Sequence, residues 1–200
     1  LEALERLGSE KPEAALLDSF NSGKLPHAWL LCGPRGVGKA TLAHRFARFL
    51  FAGDHGGGLF GGAPTSLDVD PRTPAAQRLM AGGHADMRSV EIGYNERTGK
   101  RRTEIVVDDV RDLGHFMRLT PAEGGWRVAV IDAADEMNRA ATNAVLKLLE
   151  EPPPRAVLML VAHAPGSLLP TVRSRCRRLI LKALPEDTVV ELLGQYMPAL

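Results

Sequence analysis

Gly33-Pro34-Arg35-Gly36-Val37-Gly38-Lys39-Ala40-Thr41 decides the fold, because it separates two segments of different periodicity. Before it runs Ala28-Trp29-Leu30-Leu31-Cys32, an unbroken apolar stretch that reads as a strand buried on both faces. After it, Leu42, Ala43, Phe46, Phe49 and Leu50 recur at helical spacing. Strand, glycine-rich loop and helix in that order make a phosphate-binding loop of the pattern G-x-x-x-x-G-K-[ST]. Its glycines let backbone N–H groups cradle phosphates, its lysine neutralises them, and its closing hydroxyl ligates Mg²⁺. The helix N-terminus adds a dipole that favours the anion. Gly33, Gly36, Gly38 and Lys39 satisfy the pattern, but Ala40 stands where the hydroxyl belongs. Thr41 comes one residue later, and one helical step turns a side chain by about 100°, away from the phosphates. The loop can grip phosphate yet lacks a metal ligand, which predicts a nucleotide-binding fold that does not hydrolyse.

The alternation of strand and helix continues outward. Val128-Ala129-Val130-Ile131 is a second buried strand, and Ala141, Ala144, Val145, Leu148 and Leu149 then recur at helical spacing until Pro152-Pro153-Pro154 stops the helix. Val157-Leu158-Met159-Leu160-Val161 and Arg178-Leu179-Ile180-Leu181 complete the strand set, which predicts an α/β architecture, a doubly wound parallel sheet flanked by helices. Asp132 ends the second strand, where phosphoryl-transfer enzymes hold the carboxylate that organises Mg²⁺. Aspartate is also a preferred helix cap, so Asp132 reads as well as the cap of the following helix, and the two roles are compatible.

Between Gly53 and Gly62 six of ten residues are glycine, which predicts a flexible loop. Residues 88–92 and 105–107 are short strand candidates around the basic segment 95–102, so a hairpin is expected there. No aromatic stacking platform accompanies its charges, so it reads as solvated. Asp108 and Asp109 stand where a cap and a first-turn acid would start a helix carrying Val110, Leu113 and Met117. The domain reading is residues 1–182 as the nucleotide-binding-type domain, with a flexible Gly/Pro-rich insertion over 53–85. Pro185-Glu186-Asp187 then opens the start of a small helical lid over 183–200.

Composition narrows the class. A 44% apolar chain of 200 residues supports one well-buried domain and the start of another. The net charge of +1 gives no global reason to expect nucleic acid. Cys32 and Cys176 adjoin apolar runs, which fits isolated core thiols in a reducing cytosol. No stretch approaches the roughly 20 apolar residues of a membrane span, and the start lacks a signal-peptide layout, so a cytoplasmic location is expected. The absence of an initiator methionine and the end at Leu200 read as a piece of a longer protein.

With these stretches assembled, the chain resembles the clamp-loader branch of AAA+ proteins, most closely the delta-prime family of bacterial DNA polymerase III. The likeness runs through His27-Ala28-Trp29-Leu30-Leu31, the phosphate loop, Gly83-His84-Ala85-Asp86 and the run Val130 to Asp135. It continues in Thr142-Asn143-Ala144-Val145-Leu146-Lys147-Leu148-Leu149-Glu150-Glu151-Pro152-Pro153 and in Leu168-Leu169 through Ser174-Arg175-Cys176. It implies an AAA+ P-loop NTPase fold and a hetero-oligomeric ring with gamma/tau and delta subunits. That ring opens the sliding clamp and places it on primed DNA.

In ring ATPases of this kind a glutamate that activates water commonly follows the strand-ending aspartate. Here that position is Ala133, and the next acids are Asp135 and Glu136. His163 and Ala164 occupy the sensor region, which looks degraded too. The resemblance implies that the site formed by Gly33, Gly36, Gly38, Lys39, Ala40, Thr41 and Asp132 needs no cofactor and holds ATP or ADP weakly at most. It also implies that Arg175 is an arginine finger serving a neighbouring ATPase subunit, a task suited to a planar, permanently charged fork. Members of the family often carry zinc-binding cysteines after the first helix. This chain has none between Gly53 and Met87, and His55 with His84 cannot make a four-ligand site, so no zinc is expected. The alternative is a gamma/tau-type ATPase that keeps activity through Thr41 and a displaced acid such as Asp135.

Overall fold

A computed structural model describes residues 9–53, 63–81, 83–94, 97–122 and 125–190. Residues 54–62, most of the glycine-rich stretch, and 191–200, most of the expected lid, lie outside them. In chain order the elements are α1 (Glu10–Asn21), β1 (Ala28–Cys32), α2 (Lys39–Ala52), α3 (Pro74–Met80), β2 (Met87–Val90) and α4 (Val107–Arg118). There follow β3 (Arg127–Asp132), α5 (Arg139–Glu150), β4 (Ala156–Ala162), α6 (Pro170–Arg173) and β5 (Arg177–Ile180).

The strands form one sheet in the order β2-β3-β4-β1-β5, and each neighbouring pair is parallel. Consecutive apolar residues point to opposite faces, so a strand buried on both sides needs an unbroken apolar run. Ala28, Leu30 and Cys32 of β1 join Leu158 and Leu160 of β4 in a core with α4, α5 and α6. Trp29 and Leu31 join Val157, Met159 and Val161 in the opposite core, against α1 and α2. Burying one such side chain is worth about 1.5–3 kcal/mol, so these two layers dominate the stability.

The insertion departs from the expected loop over 53–85. Pro74–Met80 is helical, with proline in its first turn and the Thr73 hydroxyl accepting from the Ala76 N–H at 3.3 Å. The residues before it are clamped to the body by a buried ion network. Arg45 of α2 meets Glu13 of α1 at 3.0 Å and Asp68 of the insertion at 3.1 Å, and the Leu67 N–H donates to Glu13 at 3.3 Å.

The expected hairpin is also different. β2 pairs in parallel with β3, while Ile105 forms a lone parallel bridge with Met137. Among the described residues only Tyr94 and Arg101 bridge in antiparallel fashion. Three residues, 105–107, are too few for a strand once the Asp109 carboxylate accepts from the Val106 N–H at 3.1 Å and starts α4. Asp108 and Asp109 are thus both first-turn acids, and Val106 is the cap. Tyr94, 66% exposed opposite Arg101, is an aromatic neighbour of the basic turn, which the sequence pattern did not reveal.

Candidate nucleotide site and an arginine at the far edge

Because every strand runs the same way, the loops that follow strands gather at one edge of the sheet and those that precede them at the other. Ligands of open α/β sheets bind at the first of these, the carboxyl edge. The phosphate loop lies there, after β1. Gly33 is required by close approach, since a Cβ would stand 2.3 Å from the Leu181 carbonyl oxygen just after β5. Gly36 and Gly38 hold φ of +82° and +83°, the left-handed region that suits glycine. Gly38 is the cap of α2 and has no side chain with which to accept from the helix's first N–H groups.

Lys39 is 3% exposed and curls back over the loop, its Nζ donating to the Gly33 carbonyl at 2.7 Å and to the Pro34 carbonyl. Burial pushes its ammonium below the ordinary lysine range, and the nearby Asp132 and Asp135 charges oppose that shift. Ala40 and Thr41, both half-buried, follow it in the first turn of α2.

Asp132 ends β3, half-buried. It caps neither of the next two elements. The short turn over Ala134–Glu136 has Ala133 at its cap position, and Asn138 caps α5, its side chain accepting from the Ala141 N–H at 2.9 Å. Asp135 is committed elsewhere: its carboxylate accepts from the His163 N–H at 3.1 Å and the Ala164 N–H at 2.7 Å, tying the end of β3 to the loop after β4. Glu136 pairs with Arg35 of the phosphate loop. Both acids that could replace a base at Ala133 therefore already hold partners. Sequence reasoning missed the role of Asp135, because nothing local marks a carboxylate whose partners are backbone groups after β4.

Arg175 belongs to the opposite, amino edge. β5 runs beside β1 with Arg177 opposite Trp29 and Ile180 opposite Cys32. At a strand rise of about 3.3 Å per residue, Arg175 and Gly33 are separated by on the order of 20 Å along the sheet, beyond the reach of one side chain. Its Nη1 donates to the Thr171 carbonyl at 3.0 Å, and its Nη2 lies 3.0 Å from Glu150 Oε1. The structure therefore brings Gly33, Gly36, Gly38, Lys39, Ala40, Thr41 and Asp132 together and holds Arg175 apart.

Asp86, which the sequence marked only through its resemblance, is 1% exposed and knots the amino edge. It accepts from the Ala122 N–H at 2.8 Å and pairs with Arg127 at 3.3 Å, while Arg127 donates to the Leu119 carbonyl at 2.7 Å and lies over the Phe116 ring.

Both cysteines are free thiols. Burial raises Cys32 above the usual thiol range and pushes Cys176 up to about 12. At pH 8 the Cys176 thiolate is then about one part in 10⁴. Titration of the folded chain with an aromatic disulfide reagent at pH 8 is expected to be slow at both thiols and complete in denaturant. Prompt reaction before unfolding would contradict their burial. Among the described residues no cluster of three or more His, Cys, Asp or Glu side chains is placed to hold a metal ion.

The family model described as "DNA polymerase III, delta subunit" matches residues 8–185. The chain is 39% identical over 150 residues to the DNA polymerase III subunit delta' of Pseudomonas aeruginosa, covering 75% of this chain and 41% of that protein. It is 31% identical over 192 residues to the gamma/tau subunit of Mycobacterium tuberculosis, covering 96% of this chain and 30% of that one. The chain thus spans less than half the length of these relatives.

In fold it is similar to the crystal structure of a DNA polymerase III gamma subunit-related protein from Thermotoga maritima, with a TM-score of 0.59, 20% identity and coverage of 90% and 49%. It is also similar to the RuvB Holliday junction branch migration motor of the same organism, with a TM-score of 0.51, 16% identity and coverage of 94% and 48%. The parallel sheet with its phosphate loop is an AAA+ P-loop α/β fold. The chain belongs to the delta-prime clamp-loader family of DNA polymerase III subunits.

Proposed function

We propose that this chain is a non-hydrolysing stator of a clamp-loader ring, which sits beside gamma/tau and delta subunits and loads the sliding clamp on primed DNA. Its own nucleotide site is silent, and Arg175 acts in trans on the ATP site of a neighbouring gamma/tau-type subunit. One observation carries this reading: the phosphate loop and Arg175 occupy opposite edges of the sheet. Head-to-tail contacts in a ring bring opposite surfaces of successive subunits together, so an arginine beyond reach of its own loop supports a role at the next one.

The residues fit a phosphate better than a metal. Gly36, Gly38 and the first-turn N–H groups of α2 would hold the phosphate, with Lys39 exchanging the Gly33 and Pro34 carbonyls for it. A bound nucleotide with Mg²⁺ would supply the scissile bond and the counter-charge. This chain offers neither a hydroxyl at Ala40 nor an unengaged acid at Asp135 or Glu136 to use them. Weak ATP or ADP binding without turnover, no zinc, and a cytoplasmic location complete the reading. No helix among the described residues is long and apolar enough to cross a membrane.

The similarity to gamma/tau subunits over 96% of the chain favours a second reading, an intrinsic ATPase working through Thr41 and Asp135. The two part company in one assay: titrate the isolated subunit with ATP and follow magnesium-dependent phosphate release. The stator reading expects no turnover above background, and robust turnover would hand the assignment to the ATPase reading. Ala40→Ser restores the missing ligand but not the base. It is expected to make nucleotide affinity magnesium-dependent, by roughly tenfold, while hydrolysis stays absent.

A further inference from the structure

Arg175 owes its direction to a residue outside its own motif. Its side chain is 37% exposed, and among the described residues its guanidinium donates to the Thr171 carbonyl and pairs with Glu150, which leaves others of its five N–H donors unused. The Thr171 carbonyl belongs to the same turn, so that bond folds the side chain onto its own backbone. Glu150 belongs to α5, whose last residue it is. Its carboxylate ties the guanidinium to the helical layer beneath the amino edge. At 51% exposure on the glutamate side, the pair stands in water and contributes little to the stability of the fold. It does select one arrangement of a long side chain with several rotors, which is where such a pair has its effect.

We propose that Glu150 is a positioning residue for Arg175, preorienting the guanidinium towards a phosphoryl oxyanion presented by the neighbouring subunit. This rests on the trans role of Arg175 proposed above. The remaining N–H donors stay available while Glu150 and Thr171 fix the fork, so engaging the oxyanion does not require either contact to break. Positioning of this kind acts on the transition state and appears in kcat rather than in KM.

The test is a double-mutant cycle in the reconstituted ring, with assembly checked by gel filtration and ATP hydrolysis as the readout. Glu150→Ala is expected to lower kcat about five- to tenfold with KM unchanged. Glu150→Gln keeps an amide oxygen as acceptor and is expected to recover at least half of that loss. On an Arg175→Ala background, Glu150→Ala is expected to add nothing. An equal fall on both backgrounds would make Glu150 merely structural and overturn the proposal, as would no fall on the wild-type background. If Arg175→Ala alone leaves hydrolysis intact, the trans reading fails first and takes this inference with it.

Discussion

Replacing Arg175 by alanine is expected to lower ATP hydrolysis at the neighbouring site about a thousandfold, the lower end of what arginine fingers supplied in trans are worth. The physical reason is charge. As the phosphoryl group transfers, negative charge spreads over its equatorial oxygens, and a guanidinium can meet two of them at once while remaining protonated. Arg175→Lys keeps the charge but not the fork, so it is expected to recover only part of the loss. The measurement is turnover in a reconstituted ring whose other sites have been silenced, since unaltered sites would mask the deficit. Nucleotide binding by this chain itself should be unaffected, because the Arg175 side chain meets Thr171 and Glu150 at the far edge of the sheet from Lys39. A ring that hydrolyses normally without Arg175 would remove the trans assignment.

Glu13→Ala is expected to destabilise the fold by about 3–5 kcal/mol, a large loss for one side chain. Arg45 is 3% exposed, and Glu13, itself 5% exposed, supplies its buried partner oxygens. Removing the carboxylate leaves a buried guanidinium with the half-exposed Asp68 as its remaining side-chain partner among the described residues, and takes the acceptor from the Leu67 N–H. For a domain of this size that corresponds to a fall in Tm on the order of 10 °C. Replacing both partners, Glu13→Leu with Arg45→Leu, should cost far less, since no charge is then stranded. Thermal melts of the single and double variants check both statements. If the double variant melts as low as the single one, packing and not charge explains the loss.

The sheet was legible because each of its long strands announces itself locally. Val128 to Ile131 and Val157 to Val161 are unbroken apolar runs, and only a strand covered on both faces needs one. Helices α2 and α5 were legible for the same reason, through spacing that fits no other element. What escaped was short or long-range. Helix α3 has seven residues and lies beside a glycine-rich stretch, so no periodicity could build up. β2 answers to the strand expected over 88–92, but its parallel place beside β3 could not be read from four residues of its own pattern.

At the site, the residue types of the loop could be read directly, while the hydrogen bonds of Asp135, Asp86 and Glu13 could not. Each joins a carboxylate to groups far along the chain, and a polar residue in a sequence carries no sign of what it will meet. Nothing local marks Tyr94 as standing opposite Arg101, because a single aromatic near a turn has no period at all.

The two-edged layout has one more consequence, concerning symmetry. On the stator reading proposed above, a subunit with its loop at one edge and its arginine at the other would contribute to two different catalytic sites. Silencing the loop while keeping the arginine would delete one site and spare the other. A ring that included such a subunit would have a seam with a definite sense, a working site on one side of this member and a silent one on the other. The twelve-residue α5 begins one residue after Asn138, near the loop, and ends at Glu150 beside the arginine. At 1.5 Å per residue it is a strut of about 18 Å that sets how far apart the loop and the arginine, and with them the two sides of the proposed seam, are held.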